Sequence, residues 1–410
     1  MSSLFREPAE GTSLLDRAKA VPPVARLPEE WEAWVQANGG RKFQAKQIFD
    51  WIHKRSVMSP AAMSNLPGPL RTKLVEEGVA PATTLDTAHR SADGTRKWLV
   101  RLADAKTIET VLIPGVGHKG PRTAEAADDG GDVWGMRDDD DEDDEGGFDP
   151  VDRTPRVRVT QCISSQVGCA MGCVFCASGV AGLERHLGPH EIVGQVLQAR
   201  AGLDAGERLS NVVFMGMGEP LHNYDAVARA LRLLVHPEGI GMSKRKITVS
   251  TSGLVPEIDR LGKDFAGGIG LAISLHATDD ETRGKLMPIN RKYPLAELMA
   301  ALRRYPIPPH RRITIEYTLV SGKNDTVEEA ERLARLLRGL PIKVNLIPMN
   351  PIEASSLGPP DMSGVLRFQR ALVDRGYACF VRRRRGDDVA AACGQLALLG
   401  RTKKVRVDRS

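Results

Sequence analysis

Apolar residues recur with a helical period from about residue 27. Trp31, Trp34 and Val35 share one helix face, and Ala45, Ile48, Phe49, Trp51 and Ile52 return at turn-like intervals in a second helix. Ser64-Asn65-Leu66-Pro67 reads as a turn and helix start leading into Leu70, Leu74 and Val75. Residues 27–83 are therefore expected to form a small all-helical module, rich in Lys and Arg, behind a loose leader over 1–26. From 84 to 114 the pattern changes. Ser91-Ala92-Asp93-Gly94-Thr95 is a hairpin-turn signal, and residues 97–100 and 108–113 have strand composition, so a β-hairpin linking to the core is expected.

After residue 156 short β-branched runs alternate with longer helical patterns. Strands are expected at Val157–Cys162, 211–215, 246–250, 268–274, Ile313–Leu319, 343–347 and Ala378–Val381, with helices such as 191–202, 224–234 and 326–337 between them. That alternation predicts an α/β fold of parallel βα units over 156–381, an open sheet or a partial or complete (β/α) barrel. In such a fold chemistry gathers at the C-terminal ends of strands. A basic segment, 382–410, follows.

Composition adds little until it is divided. The 410 residues are 41% hydrophobic and 27% charged, ordinary for a soluble globular protein. With no run of about 18 apolar residues and a polar start lacking a signal-peptide core, a cytoplasmic protein without membrane segments is expected. The net charge of +5 conceals an asymmetry: residues 124–150 hold 13 acidic residues against Arg137 alone, leaving 56 basic against 39 acidic residues elsewhere, a surplus of +17. Residues 115–155 are read as an acidic, disordered insertion that cannot bury enough apolar surface to order itself. The basic remainder, including Arg382 to Arg385, Lys244-Arg245-Lys246 and the last ten residues, suits a polyanion such as RNA.

The sharpest chemical signal follows the first expected barrel strand. Cys169, Cys173 and Cys176 stand at C-x3-C-x2-C among Gly168, Ala170 and Gly172, small residues that let a loop wrap a bulky inorganic group. Three thiolates can hold three irons of a [4Fe–4S] cluster and leave the fourth open. A zinc site wants a fourth ligand, which His186 could supply. Gly216-Met217-Gly218-Glu219-Pro220 ends the next strand, where glycines admit a ligand close to the backbone and Glu219 offers acceptors to an ammonium group. Ser250, Ser274-Leu275-His276 and Asn350 lie at later strand ends facing the same mouth.

With its three cysteines and Phe175 before the last of them, the chain resembles the radical S-adenosylmethionine (SAM) enzymes. Gln161 to Cys169, Gly216 to Pro220, Val249 to Gly253 and Arg385 to Leu396 narrow the resemblance to the RlmN/Cfr family of RNA adenine methyltransferases, on its RlmN branch, from about Leu27 to the C-terminus. The resemblance implies a partial (β/α) barrel of the radical SAM type, a [4Fe–4S] cluster on Cys169, Cys173 and Cys176, and SAM contacts at Gly218, Glu219, Ser250, Ser274, Leu275, His276 and Asn350. It implies two SAM molecules per turnover: one methylates Cys393, and the other is split into a radical that removes hydrogen from the S-methyl group. The thiomethylene carbon then adds to adenine, Glu109 accepts the proton, and Cys162 attacks Cys393 to release the product and leave a disulfide. The implied partners are 23S rRNA, tRNA with its adenosine 3′ of the anticodon, and an electron donor such as flavodoxin with its reductase, acting on a monomer. Two alternatives stand beside carbon-2 methylation: the sister enzyme that modifies carbon-8, and a zinc-stabilised RNA-binding protein. Cys379, between Ala378 and Phe380 in a strand pattern, is read as core.

Overall fold

A computed structural model describes residues 4–115, 156–352, 355–382 and 384–396. The acidic stretch, Arg383 and the last basic residues lie outside the described residues, and so do the expectations placed on them.

The strands are β1 (Thr83–Arg90), β2 (Arg96–Leu102), β3 (Thr107–Pro114), β4 (Val157–Cys162), β5 (Gln166–Gly168), β6 (Leu183–His186), β7 (Glu207–Phe214), β8 (Ile247–Thr251), β9 (Gly270–Ser274), β10 (Ile313–Leu319), β11 (Ile342–Pro348) and β12 (Ala378–Val381). One ten-stranded sheet runs β1-β2-β3-β4-β7-β8-β9-β10-β11-β12, and β5 and β6 pair separately. Within the ten-stranded sheet every pairing from β4 to β12 is parallel, with helices in the crossovers, whereas β5 and β6 pair antiparallel.

The parallel strands curl. Cys162 on β4 and Arg382, directly after β12, line one cavity together with Met215 and Ile347, so the two ends of the parallel run face each other across the sheet's interior. This is a partial barrel. β10 alternates between the two faces: Glu316 and Thr318 face the interior cavity, while Tyr317 turns outward to pack on Phe368 of the helix Met362–Val373, their ring centroids 5.4 Å apart.

Two expectations need correcting. The link over 84–114 is three antiparallel strands, not one hairpin; β1 was missed because its sequence, TTLDTAHR, is exposed at all but its first residue and shows no apolar alternation. The leader over 1–26 is not loose over its described part. It carries the helix Leu14–Ala20, capped by Ser13, and Ala18, Val21, Val24 and Ala25 are buried.

The helical module is fixed to the barrel by buried charge. Arg229, on the barrel helix Tyr224–Val235, donates to Glu30 at 2.7 and 2.8 Å, to Glu7 at 2.8 and 2.9 Å and to the Ala25 carbonyl at 3.0 Å. Glu30 also accepts from the Leu27 N–H at 2.9 Å, capping the helix Pro28–Ala37. Arg200, on the helix Pro189–Ala201, donates to the carbonyls of His53 and Lys54 at 2.6 and 3.0 Å.

Candidate active site

The cysteine loop begins on the β5–β6 hairpin. Gly168 has φ +75°, and a Cβ there would lie 1.9 Å from the Gly182 carbonyl oxygen, so only glycine fits this crossing. The loop is then pinned by backbone bonds: Cys169 N–H donates to the Gly182 carbonyl at 3.0 Å, Val174 N–H to Leu286 at 3.1 Å and Ala177 N–H to Gly394 at 2.8 Å. Cys169, Cys173 and Cys176 all line a solvent-open cavity of about 910 Å³. Burial raises the pKa of all three thiols, Cys169 up to about 12, and their mutual repulsion adds to the rise at Cys169 and Cys173.

The same cavity holds most of the expected ligand contacts. Gly218, Glu219, Ser250, Ser274, His276 and Asn350 all line this cavity. Gly218 has φ +100°, and a Cβ would sit 2.5 Å from that of Gln166, so the loop backs directly onto β5. Glu219 is buried and accepts from the N–H groups of Leu221 at 3.0 Å and Ser252 at 2.7 Å. Burial nonetheless keeps its pKa above the ordinary carboxylate value. His276, at φ +59°, accepts the Thr318 N–H on Nδ1 at 2.8 Å, which leaves Nε2 to carry the proton. Burial, with Arg283 nearby, pushes its pKa down to about 3, so it is a neutral donor.

Leu275 departs from expectation. It is wholly buried and absent from the cavity lining; its N–H donates to the Glu316 carbonyl and its carbonyl accepts from Arg283, so neither side chain nor backbone is offered to a ligand. His186, the possible fourth zinc ligand, sits elsewhere: its Nδ1 accepts from Gln166 at 3.1 Å and its ring packs against His222. Among the described residues no three His, Cys, Asp or Glu side chains converge on a single-ion site.

A second cavity adjoins the first. Cys162, Val111, Ile113, Arg384 and Arg385 line it, and Met215, Ile347, Asn350, Arg382 and Cys393 line both. Cys393 thus borders the thiol triplet on one side and Cys162 on the other. Its loop is held by Asn350, which donates to the Cys393 carbonyl at 2.8 Å, and by the bond from Ala177 to Gly394. Burial, and then the nearness of Cys393, raise the Cys162 pKa well above that of a free thiol. Cys379 is buried on β12, as expected.

Glu109 lies on β3 two residues before Val111 and so on the same face, beside the second cavity but not lining it. It is 1% exposed, its Oε1 is 3.3 Å from Lys97 Nζ, and its Oε2 has no partner. Burial pushes its pKa up to about 7, against the pull of Lys97.

Sequence reasoning missed Glu316, Lys97 and Arg283, and misplaced Arg382. Counted with a basic run facing RNA, Arg382 is instead buried, paired with Glu316 at 3.2 Å, and Asn345 donates to the other Glu316 oxygen at 3.0 Å. Arg385 reaches the β1–β2 turn, where Asp93 also accepts the Gly386 N–H at 3.1 Å. An intermediate-length Arg run carries no mark of which members turn inward.

Known proteins match this geometry. Residues 163–337 fit the model of the radical SAM superfamily, and residues 28–79 that of the ribosomal RNA large subunit methyltransferase N-terminal domain. A curated relative from Sorangium cellulosum, a dual-specificity RNA methyltransferase RlmN, is 65% identical over 95% of this chain and 99% of its own length. One of the same description from Geobacter sulfurreducens is 43% identical over 90% of this chain and 89% of its own. The crystal structure of a radical SAM methyltransferase from Sphaerobacter thermophilus superposes with a TM-score of 0.78 at 41% identity, covering 92% of this chain and 99% of that one. Fold and thiol triplet together define a radical SAM enzyme, a class that works with SAM and a [4Fe–4S] cluster. Within it, the chain belongs to the RlmN family of dual-specificity RNA methyltransferases.

Proposed function

We propose that this enzyme methylates carbon-2 of an adenosine in 23S rRNA and of the adenosine 3′ of the tRNA anticodon, by way of a methylated cysteine. The observation that carries the reading is the place of Cys393, shared between the cavity of the thiol triplet and the cavity of Cys162. A [4Fe–4S] cluster fits Cys169, Cys173 and Cys176, whose thiols line one large cavity without converging on a single ion. Bound there, it would supply the electron that splits SAM into methionine and a 5′-deoxyadenosyl radical.

This chain's residues divide the remaining work. Glu219, Ser250, Ser274, His276 and Asn350 offer two kinds of group to SAM: acceptors for its ammonium and hydroxyls, and the His276 Nε2 proton as a donor. Cys393 takes a methyl from a first SAM molecule and, after giving up a hydrogen atom from it, binds adenine through that carbon. Glu109 accepts the proton of carbon-2 while the adduct radical gives up its unpaired electron to a one-electron acceptor, balancing the electron spent on splitting SAM. Cys162 then attacks the Cys393 sulfur: the S–S bond forms, the S–CH2 bond breaks, and the freed carbon takes a proton to become the methyl group. The disulfide needs two electrons before the next turnover; a flavodoxin with its reductase suits both reductions. The helical module over 28–79 is assigned to gripping folded RNA, and the enzyme to the cytoplasm as a monomer. Among the described residues no helix is long and apolar enough to cross a membrane.

The test is anaerobic reconstitution with rRNA and tRNA substrates, followed by mass spectrometry of nucleosides and protein. The wild type should yield 2-methyladenosine in both RNAs. Cys393→Ala should give neither methylated protein nor product, whereas Cys162→Ala should accumulate enzyme crosslinked to RNA. An 8-methyladenosine product, or full turnover by both variants, would overturn the reading.

A further inference from the structure

Lys97 has a place that the reaction as so far described leaves unused. It is on β2, diagonal to Glu109 across the antiparallel pair in which Leu99 faces Glu109 and Lys97 faces Val111. A lysine that is only 4% exposed must find partners for its ammonium group. It has two: Glu109 Oε1 at 3.3 Å and the carbonyl of Ala390, also at 3.3 Å. Ala390 opens the loop that carries Cys393, at φ +48°, a conformation an alanine keeps only where its surroundings impose it. The same loop is clamped from the β1–β2 turn by Asp93, through Gly386.

We infer that Lys97 is a positioning residue that joins the proton acceptor to the thiol-bearing loop: one ammonium holds the Glu109 carboxylate and the Ala390 carbonyl at once. The inference rests on the assignment of Glu109 as the base. While the loop is docked, Lys97 stabilises the ionised carboxylate, the form that can accept a proton, and fixes Oε1 so that Oε2 alone is left unpartnered. Other ionisable groups near this face are the Cys162 thiol on β4 and, from the C-terminal segment, Cys393, Arg382, Arg384 and Arg385; Arg382 is paired with Glu316, Arg384 donates to the Met349 carbonyl and Arg385 reaches Asp93. Lys97 is the cation in contact with the base. Without it, the burial that already lifts the carboxyl to about 7 would go unopposed.

The reaction offers an internal control, because methylation of Cys393 needs no base at carbon-2. In reconstituted holoenzyme under single turnover, Lys97→Met should move the acidic limb of RNA methylation upward by about one pH unit or more, which is about a fivefold or greater loss at pH 7 that recovers toward pH 9. Cys393 methylation, read as protein mass, should keep its wild-type pH profile, any fall in rate from the loosened loop being the same at every pH. Lys97→Arg, which keeps the charge, should restore the limb, and in a Glu109→Gln background Lys97→Met should add no further pH dependence. Backbone hydrogen exchange over 390–396 should quicken in Lys97→Met and stay near wild type in Lys97→Arg. An unmoved limb in Lys97→Met, or an equal and pH-independent fall in both half-reactions, would overturn the proposal. Full turnover by Glu109→Gln, in which Lys97 is intact, would instead remove the base assignment beneath it.

Discussion

Buried imidazoles mark both ends of this molecule, and their surroundings fix how each responds to pH. His276 gives up one nitrogen to the Thr318 N–H, so its tautomer is set by the backbone of the neighbouring strand and not by a ligand. His53, in the helical module, is wholly buried beside Phe49, and burial, then His236 and Arg200, push its pKa down to about 3. An imidazole kept neutral in the folded state but free to bind a proton once unfolded stabilises the fold fully above about pH 6.5. That stability is lost as pH falls from there toward 3, at about 2 kcal/mol by pH 5. His53→Gln should therefore flatten the fall in melting temperature between pH 7 and 5, measured by circular dichroism, and an unchanged slope would contradict it. Single residues also set the limit of what could be read beforehand. Cys169, Cys173, Cys176, Cys162 and Cys393 were legible because thiols are few and their spacing is chemically restrictive. Lys97, Arg283 and Arg382 were not: they are three of 57 basic residues, and burial is decided by contacts distant in sequence.

Among elements, the parallel strands of the barrel were the easiest to read. β10 and β12 fall where expected to the residue, because each is a short run rich in β-branched and aromatic residues between turn signals. β1, exposed along most of its length, has no such signature. The leader escaped for a related reason: its buried residues, Ala18, Val21, Val24 and Ala25, are small and irregularly spaced, and the rest of its hold is charge. Arg229 is its anchor, joining Glu7, the Ala25 carbonyl and Glu30 from three segments. Removing a buried cation leaves its carboxylates unpaired, which costs about 3–5 kcal/mol. Arg229→Met should lower stability by that order in urea unfolding and expose the first 26 residues to limited proteolysis. By contrast Arg304→Met, which breaks an exposed pair with Asp259, should cost under about 1 kcal/mol. Equal losses in the two variants would show that the leader is not tied down through Arg229.

For the molecule as a whole, the sheet's own pairing bears on the acidic stretch. β3 and β4 are antiparallel neighbours: Pro114 pairs with Val159, and the Gly115 N–H donates to the Arg158 carbonyl at 2.7 Å. The two ends of the connection therefore meet side by side, and a tight link can close them. The stretch also sets the charge of the chain. Replacing residues 124–150 by a short Gly/Ser linker removes 13 acidic residues and one arginine, which takes the net charge from +5 to +17. A polyanion then meets a stronger attractive field, and the gain fades once salt shortens the Debye length to a few ångströms. The variant should keep its melting temperature within a few degrees and its iron content unchanged. It should bind tRNA several-fold faster at 50 mM salt than the full chain, with the two rates converging near 0.5 M, by stopped-flow fluorescence. A loss of cluster incorporation would assign the stretch a part in the core, and equal association rates at low salt would show that its charge is screened from the RNA face.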